Sequence, residues 1–197
     1  MFAARYRHTG VVEQLLQHSG IEVNETCCAS DIPFDGPTPL IMAARSGYVD
    51  TVRAFLNASR IKLNINKHDC DYQTALICAA IYGHDEVVEE LVRYPGIDLN
   101  VLSDSEGTAL MAACARGYYK IVQTLLRAGA DLSKTRYDGV NALMWASEHG
   151  YSSIVQLLFE HGADVTLRNN EGKTALDFVR PGSELAHLLM AHGAYRD

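Results

Sequence analysis

The architecture of this chain is clearest in the stretch Thr108–Ser133, TALMAACARGYYKIVQTLLRAGADLS. Its first half, from Leu110 to Cys114, is apolar on almost all sides, and its alanines let neighbouring helices approach closely. Gly117 supplies the positive φ angle that a helix C-terminus favours. In the second half, apolar residues recur at the spacing of one helical face until Gly129. The stretch therefore predicts two short helices that are separated by a glycine turn.

Two such helices cannot bury their apolar faces against each other alone, so the unit needs copies of itself on both sides. The sequence contains these copies. The element that opens the unit begins at Thr38, Thr74, Thr108, Asn141 and Thr174, with spacings of 36, 34, 33 and 33 residues. Five copies in register predict a stack of repeats, in which each unit contacts its neighbours.

This pattern resembles the ankyrin repeat family, and the resemblance covers essentially the whole chain. The matching pieces are the TPL or TAL turn, the Ala-Ala of the first helix, the Gly-His or Gly-Tyr turn, the VV..LL helix and the closing Gly-Ala-Asp. The resemblance implies an all-α solenoid with short hairpin tips and about six repeats, the first of them incomplete. We expect a single domain, with units at approximately 1–24, 25–64, 65–100, 101–133, 134–166 and 167–197.

One departure from the family is consistent along the chain. The family's usual histidine after the TPL turn is replaced by Ile41, Ile77, Met111, Met144 and Asp177. Because that histidine normally ties the turn together, we expect these turns to be looser or held by apolar contacts.

The first unit and two loops are irregular. We expect Met1 to fall inside the first helix, and Arg7-His8 replaces the usual Gly-His. The unit is therefore either a degenerate N-terminal capping repeat or the truncated end of a longer repeat array. The loop from Asn24 to Thr38 spans 14 residues where regular units have 8, and the loop from Asn64 to Thr74 spans 10. Insertions on one face of a repeat stack often mark its binding face, although drift in a tolerant loop explains them equally well.

Composition narrows the classes of function. The net charge of −7 over 197 residues argues against nucleic acid or an anionic membrane as the main partner. There is no long apolar run and no secretory signal, and five cysteines without a framework spacing favour a reducing compartment. We expect a cytoplasmic or nuclear protein that works as a monomer.

The resemblance implies that the hairpin tips and the residues before each mid-unit glycine form a concave binding face. Aromatic residues and arginines on that face have the types that dominate binding energy at interfaces. The predicted protein-binding residues are Phe34, Asp35, Arg45, Tyr72, Tyr82, Arg116, Tyr137, Glu148 and His149. The alternative is that most of these are ordinary solvated loop side chains.

Other chemistry has weaker support. Cys27, Cys28, His68 and Cys70 fall in neighbouring hairpins and suggest a zinc site, but vicinal cysteines chelate one metal poorly, so we predict no metal and no cofactor. The sequence has no nucleophile elbow, HExxH motif or glycine-rich phosphate loop, and we predict no enzymatic activity. Carboxylates recur at the tips, and we expect them to hold the turns. These are Asp35, Asp71, Glu106, Asp138 and Glu171.

The family resemblance also implies a modification. The dioxygenase that hydroxylates asparagines in ankyrin hairpins favours a leucine eight residues before its target, followed by an acidic and an apolar residue. Asn24 fits this pattern, with Leu16 at the upstream position, and Asn100 fits in part, with Val92 there. The alternative is that these asparagines simply close the hairpin.

Taken together, the sequence predicts a non-enzymatic scaffold that binds a partner protein of unknown identity through its concave face. One alternative is an inhibitory regulator of an enzyme such as a kinase, because the ankyrin-repeat inhibitors of cyclin-dependent kinases are similar in size. The other is the ankyrin segment of a larger multidomain protein.

Overall fold

The computed structural model describes residues 1–18, 20–26 and 36–195. Over these residues the helices form six consecutive pairs, one within each expected unit, and two isolated β-bridges close hairpins. In the last pair a 3₁₀ helix takes the place of the first α-helix. The helices are α1 Phe2–Arg5, α2 Thr9–Leu16, α3 Pro39–Arg45, α4 Val49–Asn57, α5 Ala75–Tyr82, α6 Asp85–Val92, α7 Ala109–Arg116, α8 Tyr119–Arg127, α9 Ala142–Glu148, α10 Ser152–Glu160, the 3₁₀ helix Ala175–Phe178 and α11 Glu184–Ala191.

The pairs stack in two parallel rows. An inner row runs from α1 through α3, α5, α7 and α9 to the 3₁₀ helix, and an outer row runs from α2 through α4, α6 and α8 to α10. Both helices of a pair contact the pairs before and after, so apolar side chains of the middle units are covered on two sides. Leu76, Leu110 and Leu143, the leucines of the repeated turn, are 1%, 1% and 3% exposed. The predicted register of the core is therefore correct.

Four of the inner helices, α3, α5, α7 and α9, begin at a side-chain cap. A threonine hydroxyl or asparagine carbonyl accepts a hydrogen bond from the backbone amide three residues later, at 2.9–3.3 Å. These caps are Thr38, Thr74, Thr108 and Asn141. The apolar residues that replace the family's histidine are at most 1% exposed, so these turns are held by apolar contacts. In the last unit Asp177 accepts from the amide and hydroxyl of Thr174 instead.

The glycine turns of the third and fourth units have a second role. Gly83 and Gly117 adopt φ angles of 75° and 76°, which a side chain would strain. A Cβ atom at Gly83 would lie 2.8 Å from the ring of Tyr118, and one at Gly117 would lie 2.7 Å from the ring of Tyr151. Each ring belongs to the next unit, so the absent side chain lets consecutive units pack closely. In the first unit Arg7 takes the glycine position, with a φ angle of 60°.

Asparagine side chains also link consecutive units. The Oδ1 atoms of Asn24, Asn66 and Asn100 accept hydrogen bonds from backbone amides in the segment that follows the next helix pair, those of Asn64, Asp98 and Asp131, at 2.8, 2.9 and 2.9 Å. Asn24 and Asn66 also donate through Nδ2 to carbonyl oxygens in that segment.

This pattern corrects the expected loop length in the second unit. Asn66, and not Asn64, is the equivalent of Asn24 and Asn100, because it makes the same bond to the segment that follows the next helix pair. The interval from Asn66 to Thr74 is then 8 residues, as in the regular units. The loop at 65–73 is not lengthened, and the additional residues lie before it, in the segment that follows α4.

The expected role of the tip carboxylates is wrong for most of them. Within the described residues, the side chains of Asp71, Glu106 and Glu171 accept no hydrogen bond from a backbone amide. In the hairpins of Asp71 and Glu171, the residue two positions earlier does so instead, because its short side chain reaches back into the turn. Asp69 Oδ1 accepts from the amides of residues 71 and 73 at 3.1 and 2.9 Å, and Asn169 Oδ1 bonds residues 171 and 173 at 3.0 and 2.9 Å. Asp138 accepts from the Val140 amide, as expected.

Candidate protein-binding surface

The hairpins and the C-terminal ends of the inner helices lie next to each other. We call this region the tip surface: the hairpins 67–73, 103–107, 136–140 and 169–173 with helix-end residues 45–46, 81–82, 115–116 and 148–149. Side-chain contacts join the two parts, such as Arg45 with Asp69 and Arg116 with Glu106. The tip surface therefore contains every predicted binding residue except Phe34 and Asp35, which fall outside the described residues.

Three predicted tyrosines project from the tip surface. Tyr72, Tyr82 and Tyr137 are 49%, 51% and 77% exposed. Tyr72 stacks on His68 with ring centroids 4.6 Å apart, and Tyr82 lies 6.4 Å from the ring of His84. About half or more of each side chain therefore stays in contact with water and is free for a partner.

Tyr72 is also held in a strained conformation. Its φ angle of 57° lies in the left-handed region that disfavours residues with a side chain. Gly139 and Gly172 occupy the same hairpin position in later units, with φ angles of 81° and 77°. Such strain costs free energy and is concentrated at functional sites.

The two predicted arginines hold the hairpins against the inner helices. Arg45 Nη2 lies 3.1 Å from the buried carboxylate of Asp69. Arg116 donates through both terminal nitrogens to Glu106, at 2.8 and 2.9 Å. The hydrogen bond from Arg116 lowers the pKa of Glu106 below its ordinary value of 4.5. These two arginines therefore stabilise the hairpins of the stack, in addition to their predicted place on the binding face.

Burial decides the chemistry of the thiol next to Arg45. Burial raises the pKa of Cys78 to about 11, and the nearby guanidinium offsets this only in part. Cys78 is therefore a protonated, apolar-packed thiol at neutral pH and not a nucleophile.

A cleft of about 560 Å³ lies beside Trp145, at a position that the sequence did not predict. Its walls include Arg136 and Phe178 together with the predicted residues Tyr137 and Glu148. The Arg136 guanidinium carbon lies 4.9 Å from the ring centroid of Tyr137 and 5.2 Å from that of Trp145, and the same guanidinium pairs with Asp138.

A signal for this cleft was present in the sequence. Trp145 is the only tryptophan in the chain, and the equivalent inner-helix positions of the three preceding units hold Met42, Cys78 and Ala112. A large ring at a position that elsewhere takes a smaller side chain must reach beyond the helix–helix contact.

The two remaining predicted residues lie at the end of α9. Glu148 and His149 are both exposed. The Nδ1 atom of His149 lies 3.0 Å from the backbone oxygen of Trp145, and its ring stacks on Tyr151 at 5.9 Å. Glu148 has no cationic partner among the described residues, so its carboxylate is available.

The hydroxylation candidates and the histidines near helix ends have structural contacts. Asn24 and Asn100 make the inter-unit bonds described above, and their hydroxylation remains a prediction. The Nδ1 atoms of His161 and His192 lie 2.9 Å from carbonyl oxygens of the last helical turn, where a histidine complements the helix dipole.

The zinc alternative is only partly covered by the structure. Over the described ranges, no group of three or more histidine, cysteine or acidic residues is close enough to hold a metal ion. Cys27 and Cys28 lie outside those ranges. In the same part of the chain, every helix is too short or too polar to cross a membrane.

The fold and the sequence are both similar to those of known ankyrin repeat proteins. The crystal structure of EF0377, an ankyrin repeat protein, superposes with a TM-score of 0.83 at 26% identity, covering 96% of this chain and 94% of that one. Sequence relatives include the ankyrin repeat and KH domain-containing protein mask-1 of Caenorhabditis elegans, 32% identical over 63% of this chain. The transient receptor potential cation channel subfamily A member 1 of Drosophila melanogaster is 31% identical over 59%. The probable E3 ubiquitin-protein ligase XBOS32 of Oryza sativa is 34% identical over 50%.

The matched part is a small share of each of these relatives. It spans 5%, 10% and 19% of their lengths, respectively. The family model for ankyrin repeats in three copies matches residues 1–103, 61–136 and 110–195, which together cover nearly the whole chain. With the helix pairs and hairpins described above, these matches show that the chain belongs to the ankyrin repeat family and folds as an all-α repeat stack.

Proposed function

We propose that this chain is a non-enzymatic module that captures a partner protein on its tip surface. Ankyrin repeats generally mediate protein–protein interactions, and the family membership supports the class of function. The observation that carries the assignment to this surface is the exposure of Tyr72, Tyr82 and Tyr137, since none of these rings is buried in the stack. Tyrosine is among the residue types that most often dominate the free energy of binding.

The strain at Tyr72 supports the same proposal. A glycine would relieve the strain, as it does at the equivalent positions of two later units, yet this hairpin keeps an aromatic residue. The ring stacks on His68, and about half of the side chain stays exposed. A binding role explains why a side chain of this size is retained where the backbone disfavours it.

The same surface could act in a scaffold or in an inhibitory regulator of an enzyme. Identification of the partner would distinguish these two roles. We further propose a monomer in a reducing compartment, the cytoplasm or the nucleus. Cys70, Cys78 and Cys114 are free thiols, which fits such a compartment.

The test compares two triple variants in a quantitative pull-down followed by mass spectrometry. The first changes Tyr72, Tyr82 and Tyr137 to alanine. Interface anchors of this kind each cost about 2 kcal/mol or more when truncated, so we expect partner capture to be lost. The unfolding free energy should change little by comparison, because the three rings lie outside the core.

The matched control lies on the outer helix α8. Lys120, Gln123 and Arg127 are changed to alanine together, and we expect capture to be retained. If both triple variants capture the same proteins in the same amounts, the assignment to the tip surface is wrong. If the tyrosine variant unfolds, the tyrosines are packing residues, and the loss of capture does not support a binding role for the tip surface.

A further inference from the structure

The cleft beside Trp145 differs from the rest of the tip surface because it has an apolar floor. Trp145 of α9, Val140 of the preceding hairpin and Phe178 of the 3₁₀ helix line it. Val140 is 8% exposed, while Trp145 and Phe178 are partly buried. Such a floor accepts the methylene stem of a long side chain, and the stem loses its contact with water there.

The charges that line the cleft do not cancel. Its two cations are already paired, Arg136 with Asp138 and Lys173 with Glu171, the latter at 2.7 Å. The third carboxylate of the lining, Glu148, has no cationic partner in the described part of the chain. The cleft therefore has one uncompensated negative charge at its edge, above an apolar floor.

A further observation concerns the ring of Trp145. The guanidinium of Arg136 already lies over both aromatic walls of the cleft, so these rings accept a cation in the geometry of a cation–π contact.

We infer that this cleft receives a lysine or arginine side chain of the partner protein. The inference rests on the proposed function and specifies the chemistry of what binds there. The aliphatic part of the side chain packs on Trp145 and Phe178, the cation pairs with the carboxylate of Glu148, and the exposed face of Tyr137 flanks it. Charge complementarity selects against an acidic or a purely apolar side chain at this position.

The single tryptophan makes the inference testable without knowledge of the partner. In a two-dimensional ¹H–¹⁵N NMR spectrum, the only indole N–H signal of the whole chain belongs to Trp145. We would titrate the full chain with Nα-acetyl-lysine methylamide and with its norleucine analogue, which has a similar stem and no charge. The lysine compound should shift the indole signal in a saturable manner and bind at least about threefold more tightly than the norleucine compound, since an ion pair with the exposed carboxylate of Glu148 adds modestly to the affinity.

The variant Glu148→Gln removes the charge and keeps the shape of the side chain. It should weaken lysine binding about threefold or more and leave norleucine binding within about twofold. The matched control is Glu160→Gln, an exposed glutamate at the end of α10 that does not line the cleft, and it should change neither affinity. Unchanged backbone signals will show that each variant is folded.

Three results would overturn the inference: no shift of the indole signal, equal affinities for the two compounds, or lysine binding that is unaffected by Glu148→Gln. These failures are distinct from a failure of the proposed function. If capture depends on the tyrosines but the cleft shows no preference for lysine, only the inference about the cleft is refuted. Equal capture by the two triple variants refutes the tip surface even if lysine binds.

Discussion

Substitution of Leu110 by alanine should remove a large part of the stability of the stack. Leu110 is 1% exposed in α7, which packs between α5 and α9. The change deletes the equivalent of about three buried methylene groups, worth about 2.4 kcal/mol in transfer free energy. Because helices on both sides limit the collapse of the cavity, we expect the unfolding free energy to fall by about 3–5 kcal/mol in total.

Urea unfolding followed by two probes tests this expectation. Circular dichroism reports all helices, whereas Trp145 fluorescence reports the fifth unit alone. A cavity in the central unit weakens both of its interfaces, so the two midpoints should separate in the variant, because repeat stacks are coupled only through neighbours. The control is Leu102→Ala at a 43% exposed position, which should cost no more than about 0.5 kcal/mol. A loss below about 1 kcal/mol for Leu110→Ala would refute the packing argument.

Three more expectations follow from the structure. Glu106→Gln should lower the unfolding free energy by about 0.5–1 kcal/mol at pH 7. Because the hydrogen bond from Arg116 lowers the pKa of Glu106, the difference in unfolding free energy between the two proteins should shrink and then vanish as the pH falls below about 4.5, measured by urea titration. Tyr72→Gly should leave the melting temperature unchanged or raise it, because relief of strain offsets the lost stacking on His68; a fall of many degrees in a thermal scan would show that the ring is structural. Hydrogen exchange should be fastest in residues 1–18, where α1 and α2 contact only one neighbouring unit, and slowest in 75–160; equal protection throughout would contradict this.

Much of the fold follows from contacts within one unit, and the sequence predicts these well. The burial of Leu110 follows from the helical spacing of apolar residues, and the positive φ of Gly117 follows from its place at a helix end. Both features depend on residues a few positions apart, which a linear pattern contains.

Contacts between units were predicted less well. The identity of Asn66 as the bridging residue became clear only when its bond to the amide of Asp98 fixed the register. Likewise, Arg45 looked like a free binding residue because its partner, Asp69, is 24 positions away in the next hairpin. A single sequence gives no distance between such residues.

In the candidate site, too, local features could be predicted from the sequence, whereas contacts between units could not. The exposure of Tyr72 and Tyr137 could be predicted because hairpin tips lie at the surface and have no covering element. Trp145 was overlooked because its helix is rich in alanine and leucine, where an aromatic residue is ordinarily part of the core. Its contribution to a cleft depends on the hairpin before it and the 3₁₀ helix after it.

The rings that pack against Gly83 and Gly117 provide a spectroscopic signature of two interfaces in the middle of the stack. The α-protons of Gly83 lie next to the ring of Tyr118, and those of Gly117 lie next to the ring of Tyr151, so ring currents should displace their resonances from random-coil frequencies. Each displacement depends on contact between two particular repeats. During a thermal or denaturant titration, these two glycines should therefore report separately when the third and fourth repeats part and when the fourth and fifth do.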